Sequence, residues 1–136
     1  KDIRADMVRA VMEGVALNTR WVLKPVEKFC GRPMNPINMV GGGANSDLWC
    51  QIHADVLNRT IRQVQDPVLA NARGAALIAL VGLGYTSFDD IGQQVQIQHE
   101  YQPNPANRNL YENLFAEFVN IYKQNKKIYE RLNRNK

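Results

Sequence analysis

The sequence predicts an α/β fold with short parallel strands and flanking helices, and three observations carry this. Apolar residues recur at three- or four-residue steps over residues 3 to about 29, 47–57, 70–81 and about 107–132. Two short apolar or β-branched runs, Ile37–Val40 and Thr60–Val64, lie between those helices. Strands separated by helices need crossover connections, which favour parallel pairing. The third observation is Gly41-Gly42-Gly43, placed between the first strand and the helix after it.

The elements follow in chain order. Ile3, Met7, Val11, Val15, Trp21, Val22, Val26 and Phe29 mark one face of a long first helix. Gly14 is expected to let it pack closely, Pro25 to kink or split its last turns, and Gly31-Arg32-Pro33 to end it. Asn35-Pro36 turns into the first strand. Asn45 or Ser46 caps the next helix, with Leu48, Trp49, Ile52, Val56 and Leu57 inward. Asn58-Arg59 and Asp66-Pro67 are turns around the second strand. The helix Ala70–Val81 is rich in small residues and is expected to lie close to its neighbours until Gly82-Leu83-Gly84 stops it. Ser87–Asp90 has capping-box spacing. Residues 95–101 alternate as an extended segment or edge strand, which Pro103-Asn104-Pro105 stops. Leu110, Leu114, Phe118, Ile121, Tyr122, Ile128, Tyr129 and Leu132 stripe the last helix. There is no internal repeat and no low-complexity linker.

Composition bounds the functions. A chain of 136 residues has room for one core, and 45% apolar with 22% charged residues is ordinary for a folded protein. No apolar run approaches the ~18 residues of a membrane span. The chain has neither an initiator Met nor an apolar export segment, so it reads as a piece of a longer protein. Two strands also make a poor sheet, and further strands are expected from the rest of that parent. The net charge of +4 is concentrated in Lys123, Lys126, Lys127, Arg131, Arg134 and Lys136. Such a basic helix end suits the helix dipole, and without a Gly-aromatic pattern it does not imply a nucleic-acid partner. Cys30 and Cys50 fit neither a disulfide framework nor a zinc site, and both are expected reduced and buried, as in a cytoplasmic protein. His53 and His99 are too far apart for a local metal motif; His53 is expected to be structural or solvent-facing, and no metal site is assigned.

The chemical signal is INMVGGGANSDLW, residues 37–49. Glycines at a strand end let a ligand approach the backbone, and N–H groups heading a helix favour an anion such as phosphate. Ligands in open α/β sheets gather at the carboxyl ends of strands. A plain tight turn is the alternative. No Gly-Lys-Ser/Thr follows at P-loop spacing. Ser46 breaks the dinucleotide pattern G-x-G-x-x-G, and Gln63-Val64-Gln65 stands where a ribose-binding acid is needed.

VGGGANSDLWCQIHADVLNRTIRQV followed by ANARGAALIALVGLG resembles the C-terminal domain of the FGGY carbohydrate kinases, above all xylulokinase-like members. Matching pieces are Gly41–Ser46, Trp49, Gln51, Ala54–Leu57, Gly74–Gly84 and the leading helix RADMVRAVMEGVALNTR. The terminal Tyr101-x-Pro103 and the helix bearing Tyr111, Tyr122 and Tyr129 fit as well, so the resemblance spans residues 1–136 as one domain. It implies the C-terminal half of a ribonuclease H-like, actin-like ATPase domain. It also implies transfer of the ATP γ-phosphoryl group to a sugar hydroxyl with Mg²⁺, the sugar being a ketopentose such as xylulose. By resemblance, Gly41, Gly42 and Gly43 line the phosphates and ribose, and Asn45 and Ser46 lie by the adenine. The sugar site and the aspartate base are implied in another domain, so no catalytic residue is assigned and the isolated chain is expected to be inactive. Glu13 is expected to be a structural hydrogen-bond partner, Trp49 core, and Arg73 either solvent-facing or at the cleft rim. The chain alone is expected to self-associate. A non-catalytic actin-like scaffold or sensor and a Rossmann-type module are the alternatives.

Overall fold

The computed structural model describes residues 3–134. Lys1, Asp2 and the basic-tail residue Lys136 lie outside the described residues. The first element is one helix, α1, Ile3–Cys30. It runs through Pro25 without splitting. The proline removes one N–H, which leaves a single carbonyl of the preceding turn without its ladder bond.

Three short strands follow: β1 (Ile37–Met39), β2 (Ile61–Val64) and β3 (Ile97–Tyr101). They form one sheet in the order β1-β2-β3. β1 and β2 are parallel, with Ile37 opposite Ile61 and Met39 opposite Gln63. β3 pairs antiparallel with β2, Tyr101 opposite Ile61 and His99 opposite Gln63. The sheet is therefore mixed, and the alternating segment read as an edge strand supplies β2 with the partner that the two-strand reading lacked.

Helix α2 (Asp47–Leu57) crosses between β1 and β2. Ser46 is its cap, its Oγ accepting the Trp49 backbone N–H at 3.3 Å. Asn58 ends it in the left-handed conformation at φ 52°. Helix α3 (Ala70–Gly82) follows β2, and α4 (Arg108–Asn133) closes the described chain.

The core is built around α2. Cys50, Ile52, Ala54, Val56 and Leu57 pack with Ala16 and Leu17 of α1, Ile61 of β2 and Tyr111 of α4. Each fully buried aliphatic side chain contributes about 1.5–3 kcal/mol. The polar groups entering this core are paired. Tyr111 donates its hydroxyl proton to Glu13 at 2.9 Å and accepts from Arg9 at 3.2 Å. Glu13 is thus the structural hydrogen-bond partner expected of it. Buried Asp55 accepts from Gln51 (2.8 Å), the Asn104 backbone N–H (2.8 Å) and Asn107 (2.7 Å), which fixes the turn leading into α4.

Some expectations are corrected, and the open alternatives at His53 and Arg73 are resolved. Cys30 is exposed, because it sits in the last turn of α1 beyond the core; Cys50 is fully buried. Leu48 is 52% exposed and does not face inward. No residue of α3 is buried, and a Cβ at Gly74 or Gly14 would meet nothing within 4 Å. Small residues permit close packing but do not supply a neighbour: Arg73, Gly74, Leu77 and Val81 are half-buried, and among the described residues the rest of α3 is largely uncovered. His53 is buried, its Nδ1 2.9 Å from the Trp49 carbonyl oxygen, and burial lowers its pKa. Arg73 donates to the Gln65 carbonyl at 2.9 Å. At Ser87–Asp90 only half of the capping box forms: Ser87 Oγ accepts the Asp90 N–H at 3.3 Å, while the Asp90 carboxylate accepts from the Ser87 hydroxyl, and the 3-10 turn that follows, Ile91–Gln94, has no side-chain cap.

Candidate nucleotide site

Parallel pairing puts the carboxyl ends of β1 and β2 side by side. The chain leaves β1 through Gly41, whose N–H donates to the Pro67 carbonyl just beyond β2 at 2.8 Å. That bond ties the two strand ends together. Gly41 has φ 84° and ψ −178°, a conformation essentially restricted to glycine. A 3-10 turn, Gly42–Asn45, follows. Its ladder begins with the Ala44 N–H on the Gly41 carbonyl (3.1 Å) and ends with the Ser46 N–H on the Gly43 carbonyl (3.2 Å). The N–H groups of Gly42 and Gly43 therefore lie ahead of the ladder.

The three glycines have different reasons to be glycine. Gly41 has the backbone conformation. Gly42 lacks a positive φ, and a Cβ there would meet nothing within 4 Å, so its outer side is open. At Gly43 a Cβ would lie 2.7 Å from the Trp49 ring. Trp49 is half-buried and its Nε1 donates to the Met12 carbonyl at 3.2 Å, so the indole joins α1 to the glycine turn.

The head of α2 is less available to an anion than its position suggests. The Trp49 N–H is taken by Ser46 Oγ and the Cys50 N–H by the Ser46 carbonyl. Asp47 adds a carboxylate in the first turn. What remains for a phosphate is the glycine turn itself, with its open face at Gly42. Asn45 shares this turn, and Ser46 is occupied as the helix cap.

Beneath the turn lies a polar cluster that sequence reasoning missed. Buried Gln63 of β2 donates its amide N–H to the Ala44 carbonyl. Tyr101 of β3 donates to Asp47 Oδ1 at 2.8 Å and stands 3.3 Å from Gln63 Oε1. Burial and the Asp47 carboxylate push the Tyr101 pKa up to about 12. The available signal was a glutamine at an inward strand position directly before Val64.

A cleft of about 200 Å³ lies beside the strand ends, lined by Asn38, Val40, Val64, Arg73 and Leu77 among others. A larger groove of about 930 Å³ runs between α1 and α4, past Arg20, Trp21, Lys24, Arg59 and Phe115. None of Gly41–Ser46 lines that groove, and its Arg59 is already paired with Glu27 at 3.1 Å. None of Gly41–Ser46 lines the smaller cleft either; Val40 and Val64 bring it only to the strand ends beside the turn. No group of three or more His, Cys, Asp or Glu among the described residues converges to hold a metal ion. The outer side of the turn at Gly42 is open, and Asp47 is the carboxylate in the first turn of the helix that follows. No described helix is long and apolar enough to cross a membrane.

Comparison with known proteins identifies the family. The profile of the FGGY family of carbohydrate kinases, C-terminal domain, matches residues 1–83. The chain is 33% identical over 127 residues to a xylulose kinase of Staphylococcus epidermidis, covering 92% of this chain and 25% of the relative. It is 35% identical over 123 residues to an autoinducer-2 kinase of Yersinia enterocolitica, covering 88% and 23%. Among solved structures, xylulose kinase from Rhodospirillum rubrum superposes with a TM-score of 0.73 at 28% identity, over 90% of this chain and 25% of that one. Gluconate kinase from Lactobacillus acidophilus gives 0.75 at 30% identity, over 93% and 25%. The chain thus spans about a quarter of the length of these relatives.

Proposed function

This chain belongs to the FGGY family of carbohydrate kinases, and from that premise we propose that it is the nucleotide-side portion of a longer, ATP-dependent sugar kinase. The observation that carries the reading is the open glycine turn at the joined carboxyl ends of β1 and β2. Phosphoryl transfer needs little covalent chemistry from the protein; positioning and charge stabilisation dominate. ATP would supply the γ-phosphoryl group, and Mg²⁺ would neutralise charge developing on the phosphates. The work of this chain is to hold the phosphates. The backbone N–H groups of Gly42 and Gly43 face them, Gly41 sets the direction of the turn, and Asn45 and Ser46 border the base. The proton lost by the sugar hydroxyl goes to a base outside this chain.

Xylulose is the proposed sugar, supported by the similarity to the Staphylococcus epidermidis xylulose kinase over nearly the whole chain. Cytoplasmic residence belongs to the same proposal, supported by two unpaired thiols, one of them exposed. The test is ADP release by the full-length protein with D-xylulose, gluconate and other sugars. D-xylulose-dependent release is expected. Release with gluconate alone overturns the choice of sugar, and ATP consumption with no sugar dependence overturns the kinase reading.

A further inference from the structure

We infer that Gln63 is a positioning residue for the nucleotide: its side chain sets the glycine turn, and Tyr101 and Asp47 set Gln63. The inference rests on the nucleotide reading and deepens it. Gln63 is only 3% exposed, at the carboxyl end of the central strand. Its amide N–H is spent on the carbonyl of Ala44, the fully buried residue at the middle of the turn. A second contact, 3.4 Å, reaches Asp47 Oδ1.

The geometry fixes which way the amide points. Tyr101 shares its one hydroxyl proton between Asp47 Oδ1 at 2.8 Å and Gln63 Oε1 at 3.3 Å, so the oxygen end of the amide faces the tyrosine. Asp47 accepts only, so the donor end of Gln63 faces Asp47 and Ala44. Rotating the amide would set its carbonyl against the Ala44 carbonyl and the Asp47 carboxylate. The Ala44 peptide is therefore held from below by β2 and β3 together. Ala44 also supplies the first ladder N–H, to Gly41. A fixed Ala44 consequently fixes the tilt of the peptides just before it, whose N–H groups are the ones available to a phosphate. A short 3-10 turn has poor intrinsic hydrogen-bond geometry and does not hold such an orientation alone.

The experiment compares Gln63→Met and Gln63→Glu, both close in size to glutamine, with Tyr101→Phe, which keeps the fold and removes only the orienting hydroxyl. Two readouts are taken on the full-length protein: amide hydrogen exchange at Ala44 and Ser46, the N–H groups bonded within the turn, and KM for ATP against KM for the sugar. Exchange at the turn is expected to accelerate about 10-fold in the Gln63 variants and less in Tyr101→Phe, with α2 beyond Cys50 unchanged, since one buried hydrogen bond is lost. The ATP KM is expected to rise about 10-fold and the sugar KM to stay within twofold. Unchanged exchange at the turn overturns the inference. So does faster exchange with an unchanged ATP KM when Gly42→Val still raises that KM. If Gly42→Val also leaves it unchanged, the nucleotide reading itself falls. Should the Gln63 variants fail to fold, Tyr101→Phe decides by the same two readouts.

Discussion

Gly43→Ala separates the structural from the ligand-facing glycines. The added methyl would lie 2.7 Å from Cζ3 and 2.8 Å from Cε3 of Trp49, closer than real Cβ atoms come. The indole is rigid, and its Nε1 is bonded to the Met12 carbonyl at 3.2 Å. It can retreat only by weakening that bond or by moving α1. Overpacking of this kind costs about 1–3 kcal/mol, and a lost hydrogen bond adds about 1 kcal/mol. The expected destabilisation is therefore about 2–4 kcal/mol, or roughly 8–14 °C in Tm for a chain of this size. Gly42→Ala is the control. Its methyl points into open space, so stability should change by no more than about 0.5 kcal/mol while ATP use suffers. Urea unfolding followed by tryptophan fluorescence, with Trp21→Phe as background, reads both. A Gly43→Ala protein as stable as its parent would refute the argument that Trp49 dictates the glycine.

Three further outcomes follow from the same contacts. Asp55→Ala removes an acceptor for three donors and should cost about 3 kcal/mol or more in urea unfolding, while Asp55→Asn should recover part of it. The Glu27 carboxyl is held below its ordinary value of 4.5 by the Met34 backbone N–H and then by Arg59. Its folded pKa lies under the unfolded one, so its stabilisation is present above about pH 4.5 and is lost as the pH falls through the lowered value; Glu27→Gln should flatten the stability curve in that window, and an unchanged curve would contradict the assignment. The isolated chain exposes the apolar side chains of Ile3, Met7 and Val11 on α1 and Ile121 and Leu132 on α4. It should therefore self-associate in sedimentation equilibrium, and a clean folded monomer over a tenfold concentration range would count against this.

The helices and the two parallel strands were legible because their signals are local. Ser46 caps α2, and the alternation at 95–101 marks β3. What failed was inference about coverage. Leu48 and α3 carry apolar side chains that are exposed here, because periodicity shows which face is apolar and not whether a neighbour lies against it. Cys30 was misjudged for the same reason. The glycine turn was found from composition, yet the separate roles of Gly42 and Gly43 needed the position of Trp49. Gln63 and Asp55 lay hidden because their partners, at residues 44, 101, 104 and 107, are far off in sequence and meet only through the fold.

The central claim is that the glycine turn holds the phosphates of ATP, and Gly42→Val in the full-length protein tests it most directly. The substitution starts a branched side chain on the open face, where a Cβ meets nothing within 4 Å. Steady-state kinetics varied separately in ATP and in sugar should show a strongly raised KM for ATP and a sugar KM nearly unchanged. An ATP KM equal to that of the unsubstituted protein, with the variant folded, would remove the turn from the site.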